Sequence, residues 1–314
     1  MPCQNRLQGL SERAKVIELS SLDFTELELD TKSRYSEIFN RTPQKSSDYS
    51  FVNLFSWNET RNHTIAITDD LAWIKSHEEA GNIIWGPVGD WYSVDWVYSL
   101  ERYFPSGATF ERTPEVLANL LFEELGDRIE ISENRNEWEY IYSVEDLVSL
   151  SGNKLHSKKN KLRQFEKMYD YEYLDVSSST IEEILLMQKE WCEWRNCDGT
   201  PGLKAEHDAI IRVLGSWDSF PGLLGGVIHV DGRMVAYTIA EPISEDTLVI
   251  HFEKGMTEYQ GIYQAINQKF LEANGKGFKW VNREQDMGQK GLRNAKRSYN
   301  PDHYLKKFRV KWKG

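Results

Sequence analysis

Two α/β domains in tandem, each built on a mixed sheet flanked by helices, are predicted by three observations. The second half of the chain alternates helical and strand periodicity, and three of its strand patterns form an antiparallel meander through a turn at Asp231-Gly232. The same order recurs in rougher form about half a chain earlier, which marks paired domains rather than a solenoid. The 314 residues, 40% hydrophobic and 12% aromatic, suffice for two cores. We place the domains at residues 1–152 and 153–314, with the linker around Ser149 to His156.

In chain order, strands are expected from Ile65 to Thr68, Leu71 to Lys75 and Asn82 to Trp85, the first pair joined by a turn at Asp69-Asp70. A helix follows from Val94 to Tyr103, a strand from Thr109 to Glu111, a helix from Pro114 to Leu125 opened by Thr113, and a strand from Glu137 to Tyr142. In the second half, a helix over 159–169 puts Lys159, Arg163 and Lys167 on one face and Leu162, Phe165 and Tyr169 on another. A strand from Tyr171 to Val176 leads to a helix from Thr180 to Arg195, which Asp198-Gly199-Thr200-Pro201-Gly202 ends, and a further helix spans Ala205 to Leu214. The meander comprises Gly226 to Val230, Met234 to Ala240 and Thr247 to Glu253. A helix from Glu258 to Ala273 carries a capping box of Thr257 and Gln260, and Tyr259, Ile262, Ile266 and Phe270 form its buried face. A strand from Lys279 to Arg283, a short helix over 290–299 and a strand from Leu305 to Trp312 complete the order.

Composition narrows the function classes. No run approaches the roughly 18 apolar residues of a membrane span, and the first residues lack the apolar centre of a signal peptide, so a cytoplasmic location is expected. Cys3, Cys192 and Cys197 are an odd set without a CxxC pair, which predicts neither a disulfide nor a zinc site; Cys192 and Cys197 read as core, and no metal is expected. The net charge of −11 is unevenly spread: residues 1–150 carry −14 and residues 151–314 carry +3. Basic residues crowd Lys154 to Lys167 and the stretch from Lys276 onward, which suggests an anionic ligand such as a phosphate-bearing cofactor, a tRNA end or a lipid head group.

The segment from Val281 to Phe308 packs polar and ionisable side chains into a strand-to-helix junction where packing alone does not require them. Asn282, Arg283, Glu284 and Asp286 end a strand, and Arg293 and Arg297 fall four apart on the short helix that Asn300-Pro301 stops. Arg283, Arg293, Lys296 and Arg297, with Lys254, are candidates to hold the anionic part of a substrate, and Lys159 and Arg163 to clamp nucleic-acid phosphates. Glu241, Glu253 and Glu284 are candidate proton acceptors, Glu241 through partial desolvation of its carboxylate. Asn282 or Tyr299 is the candidate donor to a developing oxyanion. No G-x-S-x-G elbow offers a covalent nucleophile, and His156, His229, His251 and His303 are scattered and read as satisfied structural histidines.

Helices, a three-strand meander, a long helix, a strand, a short helix and a last strand is an order that resembles the Gcn5-related N-acetyltransferase fold, and its tandem form resembles the Fem-type aminoacyl-tRNA-dependent transferases. More specifically, HSKKNKLRQFEK at 156–167, the stretch 231–270 and VNREQDMGQKGLRNAKRSYNP at 281–301 resemble the C-terminal catalytic domain of bacterial phosphatidylglycerol lysyltransferases and its soluble relatives. SDYSFVNLFSWNE at 47–59 fits the soluble relatives. The resemblance implies aminoacyl or acyl transfer from an activated donor, an aminoacyl-tRNA, to an amine or hydroxyl acceptor, either a small molecule or a lipid head group. It also implies that Glu253-Lys254 lies where the fold parts adjacent strands and seats the donor carbonyl. Acetyltransferases of this fold hold coenzyme A pyrophosphate on R/Q-x-x-G-x-G/A before the long helix. Here Glu258 and Tyr263 depart from that pattern while Gly261 fits it, so no cofactor is expected, with coenzyme A as the alternative. The alternatives to aminoacyl transfer are a coenzyme A-dependent N-acyltransferase and a non-catalytic protein that binds tRNA or anionic head groups.

Overall fold

A computed structural model describes residues 21–314 apart from Asp69, Glu79 and Ala80; the opening segment with Cys3, and Asp69 of the expected first turn, lie outside the described residues. Strands in chain order are β1 (Thr25–Glu26), β2 (Thr64–Ile67), β3 (Leu71–Glu78), β4 (Gly81–Trp85), β5 (Val88–Gly89), β6 (Ala108–Pro114), β7 (Ile129–Glu133), β8 (Glu139–Ser143), β9 (Tyr171–Asp175), β10 (Leu224–Val230), β11 (Arg233–Pro242), β12 (Thr247–Gly255), β13 (Trp280–Asn282), β14 (His303–Leu305) and β15 (Lys307–Trp312). Helices are α1 (Lys32–Asn40), α2 (Phe51–Ser56), α3 (Asn58–Arg61), α4 (Trp96–Tyr103), α5 (Glu115–Leu125), α6 (Val144–Ser149), α7 (His156–Met168), α8 (Ile181–Arg195), α9 (Pro201–Gly215), α10 (Ile262–Asn274) and α11 (Lys290–Arg297).

They form two mixed sheets, ordered β1-β2-β3-β4-β6-β15-β7 and β14-β8-β13-β12-β11-β10-β9. The α/β class and both meanders agree with the sequence. The hairpin joining β10 to β11 turns on Asp231 and Gly232, both at positive φ (50° and 77°), the twist that tight hairpins require. Strands β10 to β12 are buried nearly throughout, which explains why they read as almost continuous apolar runs.

The two sheets exchange strands. Glu139–Ser143, from the first half, pairs with β13 and β14 in the second sheet, while Lys307–Trp312 inserts between β6 and β7 in the first. The single last strand expected from Leu305 to Trp312 is therefore two: β14 stays in the second sheet and the chain crosses at Lys306. Trp312 anchors the crossing, fully buried with its indole N–H donated to the Phe104 carbonyl at 2.9 Å. The main core runs through both halves, with Phe220 packed on Phe51 and Phe55.

A buried ionic cluster fastens the exchange. Lys307 is fully buried, its ammonium bonded to Asp48 and 2.6 Å from Glu139 Oε1. Asp48 also accepts from Arg112 Nη1 at 2.9 Å, and Glu139 from both Ser46 Oγ and Ser47 Oγ at 2.7 Å and from Asn282 Nδ2 at 2.5 Å. Burial opposes charge on both sides, yet Lys307 and Arg112 hold the Asp48 carboxyl well below the usual range, and Asp48 and Glu139 raise the Lys307 ammonium.

Two further expectations are corrected. Cys192, in the last turn of α8, and Cys197, just past it, are joined in a disulfide, because the αL residue Asn196 turns the chain back and brings their Cα atoms to 5.1 Å. The Thr257–Gln260 capping box is absent: α10 starts at Ile262, and its N-cap is Gly261 at φ 90°. A Cβ on Gly261 would lie 2.4 Å from the Lys161 carbonyl oxygen, so glycine here admits the backbone of α7.

Two stability effects follow, both measured by urea unfolding. Lys307→Met should cost about 3–5 kcal/mol, because it leaves two buried carboxylates facing each other. Gly261→Ala should cost at least about 1 kcal/mol through positive φ and the α7 clash, whereas Gly277→Ala, also at positive φ but in open space, should cost less.

Candidate functional site

Parallel pairing of β12 with β13 covers Thr247–Val249 against Trp280–Asn282 and ends there. Beyond it the chain turns away through Arg283–Gln285, and Glu284 adopts φ 57°, a left-handed backbone that a glutamate enters only when its surroundings hold it. Asn282 supplies part of that hold by accepting the Glu284 N–H at 2.8 Å, and Tyr140 pairs with the same stretch through its backbone. Two side-chain pairs span the resulting gap. His251 Nδ1 meets Glu284 Oε1 at 2.9 Å, and Arg283 Nη2 donates to Glu253 Oε1 at 2.8 Å.

His251 is the centre of the site. Its other nitrogen, Nε2, lies 3.0 Å from Glu241 Oε1, so one imidazole joins two carboxylates from β11 and from the segment after β13. Burial opposes its charging, but the hydrogen bonds to Glu241 and Glu284 outweigh burial and push its pKa to about 10. It is an imidazolium at neutral pH, and both ring nitrogens donate. Ser50 Oγ donates to Glu241 Oε1, and Asn53 Nδ2 to Glu284 Oε1 at 3.1 Å. Both come from α2 and its cap in the first half, where Ser50 also accepts the Asn53 N–H. The first half thus supplies two groups to a site carried by the second.

Around Arg283 the donors gather. Its guanidinium lies 4.8 Å from the Tyr299 ring, which Lys158 Nζ approaches to 4.2 Å. Gln264 Nε2 donates to Tyr299 Oη at 2.9 Å, and Asn267 Nδ2 to Glu253 Oε2 at 2.9 Å. Lys158 is lowered by burial, and Lys161 and Arg283 add to the shift.

Of the residues expected from sequence, the structure brings together Glu241, Glu253, Arg283, Glu284 and Tyr299. Lys296 lies beneath them: its Nζ donates to the carbonyls of Arg283 and Gln285 at 2.5 and 2.6 Å, pinning the turn, and burial lowers its pKa to about 8. Asn282 is 1% exposed and committed to Glu139 and Glu284, so its amide faces the ionic cluster. Arg293 clasps Asp286 through Nε and Nη2 at 2.9 and 2.8 Å. Burial would raise that carboxyl, yet Arg293, Tyr140 and the Gly288 N–H hold it at about 2. Lys254 points to the opposite face of β12, paired with Glu206 at 2.6 Å over Trp191. Gly261 packs against α7; Lys159 reaches the Ser149 carbonyl, Arg163 is exposed on α7, and Arg297 is exposed on α11.

His251, Ser50, Asn53, Asn267 and Lys158 were not among the sequence candidates. The spacing of His251 and Glu253, two apart on one strand, was the available signal for the first. Nothing local announces Ser50 or Asn53, which are 191 and 231 residues from their partners.

The His251 charge gives the site a pH signature. Its folded pKa lies above the unfolded value near 6.5, so its contribution to stability is complete below about pH 6.5 and is lost as pH rises through about 10. Lys296 has the opposite sign, relieving a penalty between about pH 8 and its ordinary value. His251→Gln should therefore lower stability by about 3 kcal/mol at pH 6 and by clearly less at pH 10, measured as paired urea midpoints.

Comparison with known proteins agrees with this architecture. A conserved protein of unknown function from Bacteroides thetaiotaomicron superposes with a TM-score of 0.82 at 30% identity, over 93% of this chain and 99% of that one. L-PGS from Bacillus licheniformis shares the fold at 12% identity and a TM-score of 0.60, over 92% and 93% of the two chains. An uncharacterised protein of Mycoplasmoides gallisepticum is 21% identical over 172 residues, and the chain spans about half the length of that curated relative (55%). Residues 39–311 match the family described as phosphatidylglycerol lysyltransferase, C-terminal. The chain, whose two sheets exchange strands, belongs to that family.

Proposed function

We propose that this protein transfers an aminoacyl group from an aminoacyl-tRNA to an amine or hydroxyl acceptor. The observation that carries this reading is the Glu241–His251–Glu284 row set in the gap where β12 and β13 part. Each carboxylate spends Oε1 on His251 and on a donor from the first half, which leaves Oε2 to take a proton. The acceptor N–H or O–H gives its proton to that oxygen as its lone pair attacks the ester carbonyl carbon. The carbonyl oxygen becomes an oxyanion beside the Tyr299 hydroxyl, whose own hydrogen is free to donate. The carbon–oxygen bond to ribose then breaks, and the proton passes to the departing ribose oxygen, so no covalent enzyme intermediate is needed. An ester donor is already activated, and alignment alone is worth about 7–11 kcal/mol.

The start of α10 supports an ester donor over a coenzyme A thioester. Pyrophosphate on this fold needs free amides there, but Gly261 is covered by the Lys161 carbonyl, and the Gln260 N–H is taken by Tyr169 Oη at 3.2 Å. The basic face of α7 and the end of α11, joined through Lys158 and Ser298 at 2.6 Å, suits the approach of a tRNA acceptor stem. Among the described residues no helix is long and apolar enough to cross a membrane; a lipid acceptor would be met at a membrane surface.

The test is to incubate the protein with tRNA carrying labelled amino acids and a panel of amine and hydroxyl acceptors, including phosphatidylglycerol vesicles, and follow label leaving the tRNA. Label should move to an acceptor, and Glu241→Gln and Glu284→Gln should each slow the transfer about 100-fold or more. An unchanged rate in the double variant, or acetyl transfer from micromolar acetyl-CoA, would overturn the reading.

A further inference from the structure

The groups of this site that remain unused fall into two sets of opposite character. On one side, Glu241 Oε2 and Glu284 Oε2 accept no hydrogen bond among the described residues, and each side chain keeps 18% exposure. Two carboxylates around one imidazolium leave this side with a net charge of −1. On the other side every open group is a donor. Arg283 Nη1 is fully buried and has no hydrogen-bond partner among the described residues. Tyr299 Oη accepts from Gln264, which leaves its own hydrogen to donate, and Lys158 shares the Tyr299 ring with Arg283. Arg283 and Lys158 against Glu253 leave this side at +1. A buried guanidinium N–H without an acceptor is destabilising, and the fold has reason to keep one where a ligand supplies the acceptor.

The two sides are neighbours. His251 and Glu253 are two residues apart on β12, and their partners Glu284 and Arg283 are adjacent in sequence. The centres of the two pairs are therefore about one strand repeat apart, roughly 7 Å. Building on the aminoacyl-transfer reading, we infer that the site recognises its substrate at two points: a primary ammonium on the Glu284 carboxylate, with Glu241 left as the base, and an anionic oxygen group, phosphate or carboxylate, on Arg283 and Lys158, with the Tyr299 hydroxyl left for the oxyanion. Admission of the anion requires Lys158, a flexible side chain at the edge of the site, to swing off the Tyr299 ring. The ligand class is a molecule carrying both charges about 7 Å apart. Two sources have that chemistry: the aminoacyl-nucleotide end of the donor, through its amino group and terminal phosphate, and a short peptide acceptor, through its terminal amine and carboxylate. Neither acetyl-CoA nor a neutral acceptor presents the ammonium.

The probes are 3′-(aminoacylamino)-3′-deoxyadenosine 5′-phosphate, an amide that cannot be cleaved as an ester, its N-acetyl and 5′-dephosphorylated forms, and a dipeptide with its N-acetyl and amide-capped forms. Binding is read by titration calorimetry on the full chain at fixed salt. One parent compound should bind, and removal of either charge should weaken it at least about 10-fold. Arg283→Met and, more mildly, Lys158→Met should abolish the effect of the anionic group while keeping that of the ammonium, and Glu284→Gln should do the reverse. Lys158 is half-exposed, so its variant stays informative if Arg283→Met fails to fold. Binding of the nucleotide series identifies the donor end, and binding of the dipeptide series the acceptor. Equal binding of parent and capped forms, identical behaviour of the Arg283 and Glu284 variants, or no binding by either parent overturns two-point recognition. Transfer from aminoacyl-tRNA by the same wild-type preparation would leave the aminoacyl-transfer reading standing in each of those cases, whereas its absence strikes that reading separately.

Discussion

The fold depends on Lys307 being charged where no water reaches it. An ammonium that is fully buried carries a desolvation penalty of several kcal/mol, which only close anionic partners offset. Its anionic partners come from two places in the chain, Asp48 ahead of α2 and Glu139 at the start of β8, and Arg112 on β6 pairs with Asp48, so that two cations balance two carboxylates. β8 has left the first half for the second sheet, and β15 has made the opposite journey. Each crossing brings a charge that is tolerable only if the other crossing has occurred, so the exchange of strands and the ion cluster specify each other.

The same cluster reaches the site through two short paths. Asn282 gives its amide N–H to Glu139 and its carbonyl oxygen to the Glu284 backbone, so the ionic core and the left-handed turn at Glu284 share one side chain. Ser46, Ser47 and Asp48 are fixed by Glu139 and Lys307, and the chain continues directly into Ser50 and Asn53, which hold the two carboxylates of the His251 row. A site split between halves is ordinarily at the mercy of their relative motion. Here the segment that contributes from the first half is tied to buried charge within five residues of its functional groups, and Phe51 and Phe55 pack on Phe220 beyond it.

What was legible in the sequence follows from range. Amphipathic and alternating patterns are local, and they placed the meanders, the long helices and the polar strand end at 281–286 within a few residues. The strand exchange was not legible, because a strand reads the same whichever sheet it joins; only the inward charge of Lys307 in an otherwise alternating strand hints at a partner. The disulfide was missed because an odd set of cysteines without a CxxC pair gave no pairing signal, and only the αL turn at Asn196 brings Cys192 and Cys197 together. In the site, Glu241, Arg283 and Glu284 stood out as charges where packing did not need them. His251 did not, since a lone histidine in a strand becomes informative only when carboxylates 10 and 33 residues away are seen on its two nitrogens.

The comparison of Gly261 with its expected role shows how one residue type serves opposite ends. A glycine ahead of a long helix leaves room for something to approach the backbone, and the resemblance to acetyltransferases offers a pyrophosphate as one such visitor, although Glu258 and Tyr263 depart from their pattern. In this chain the visitor is the carbonyl of Lys161, and the helix it belongs to lies over the start of α10. A carbonyl oxygen satisfies the same electrostatic preference of a helix N-terminus for negative charge, though with a partial rather than a full charge. The helix that closes this end also carries Lys158 to the Tyr299 ring. Closing the backbone at the α10 terminus and placing a cation beside Arg283 are thus consequences of a single packing contact.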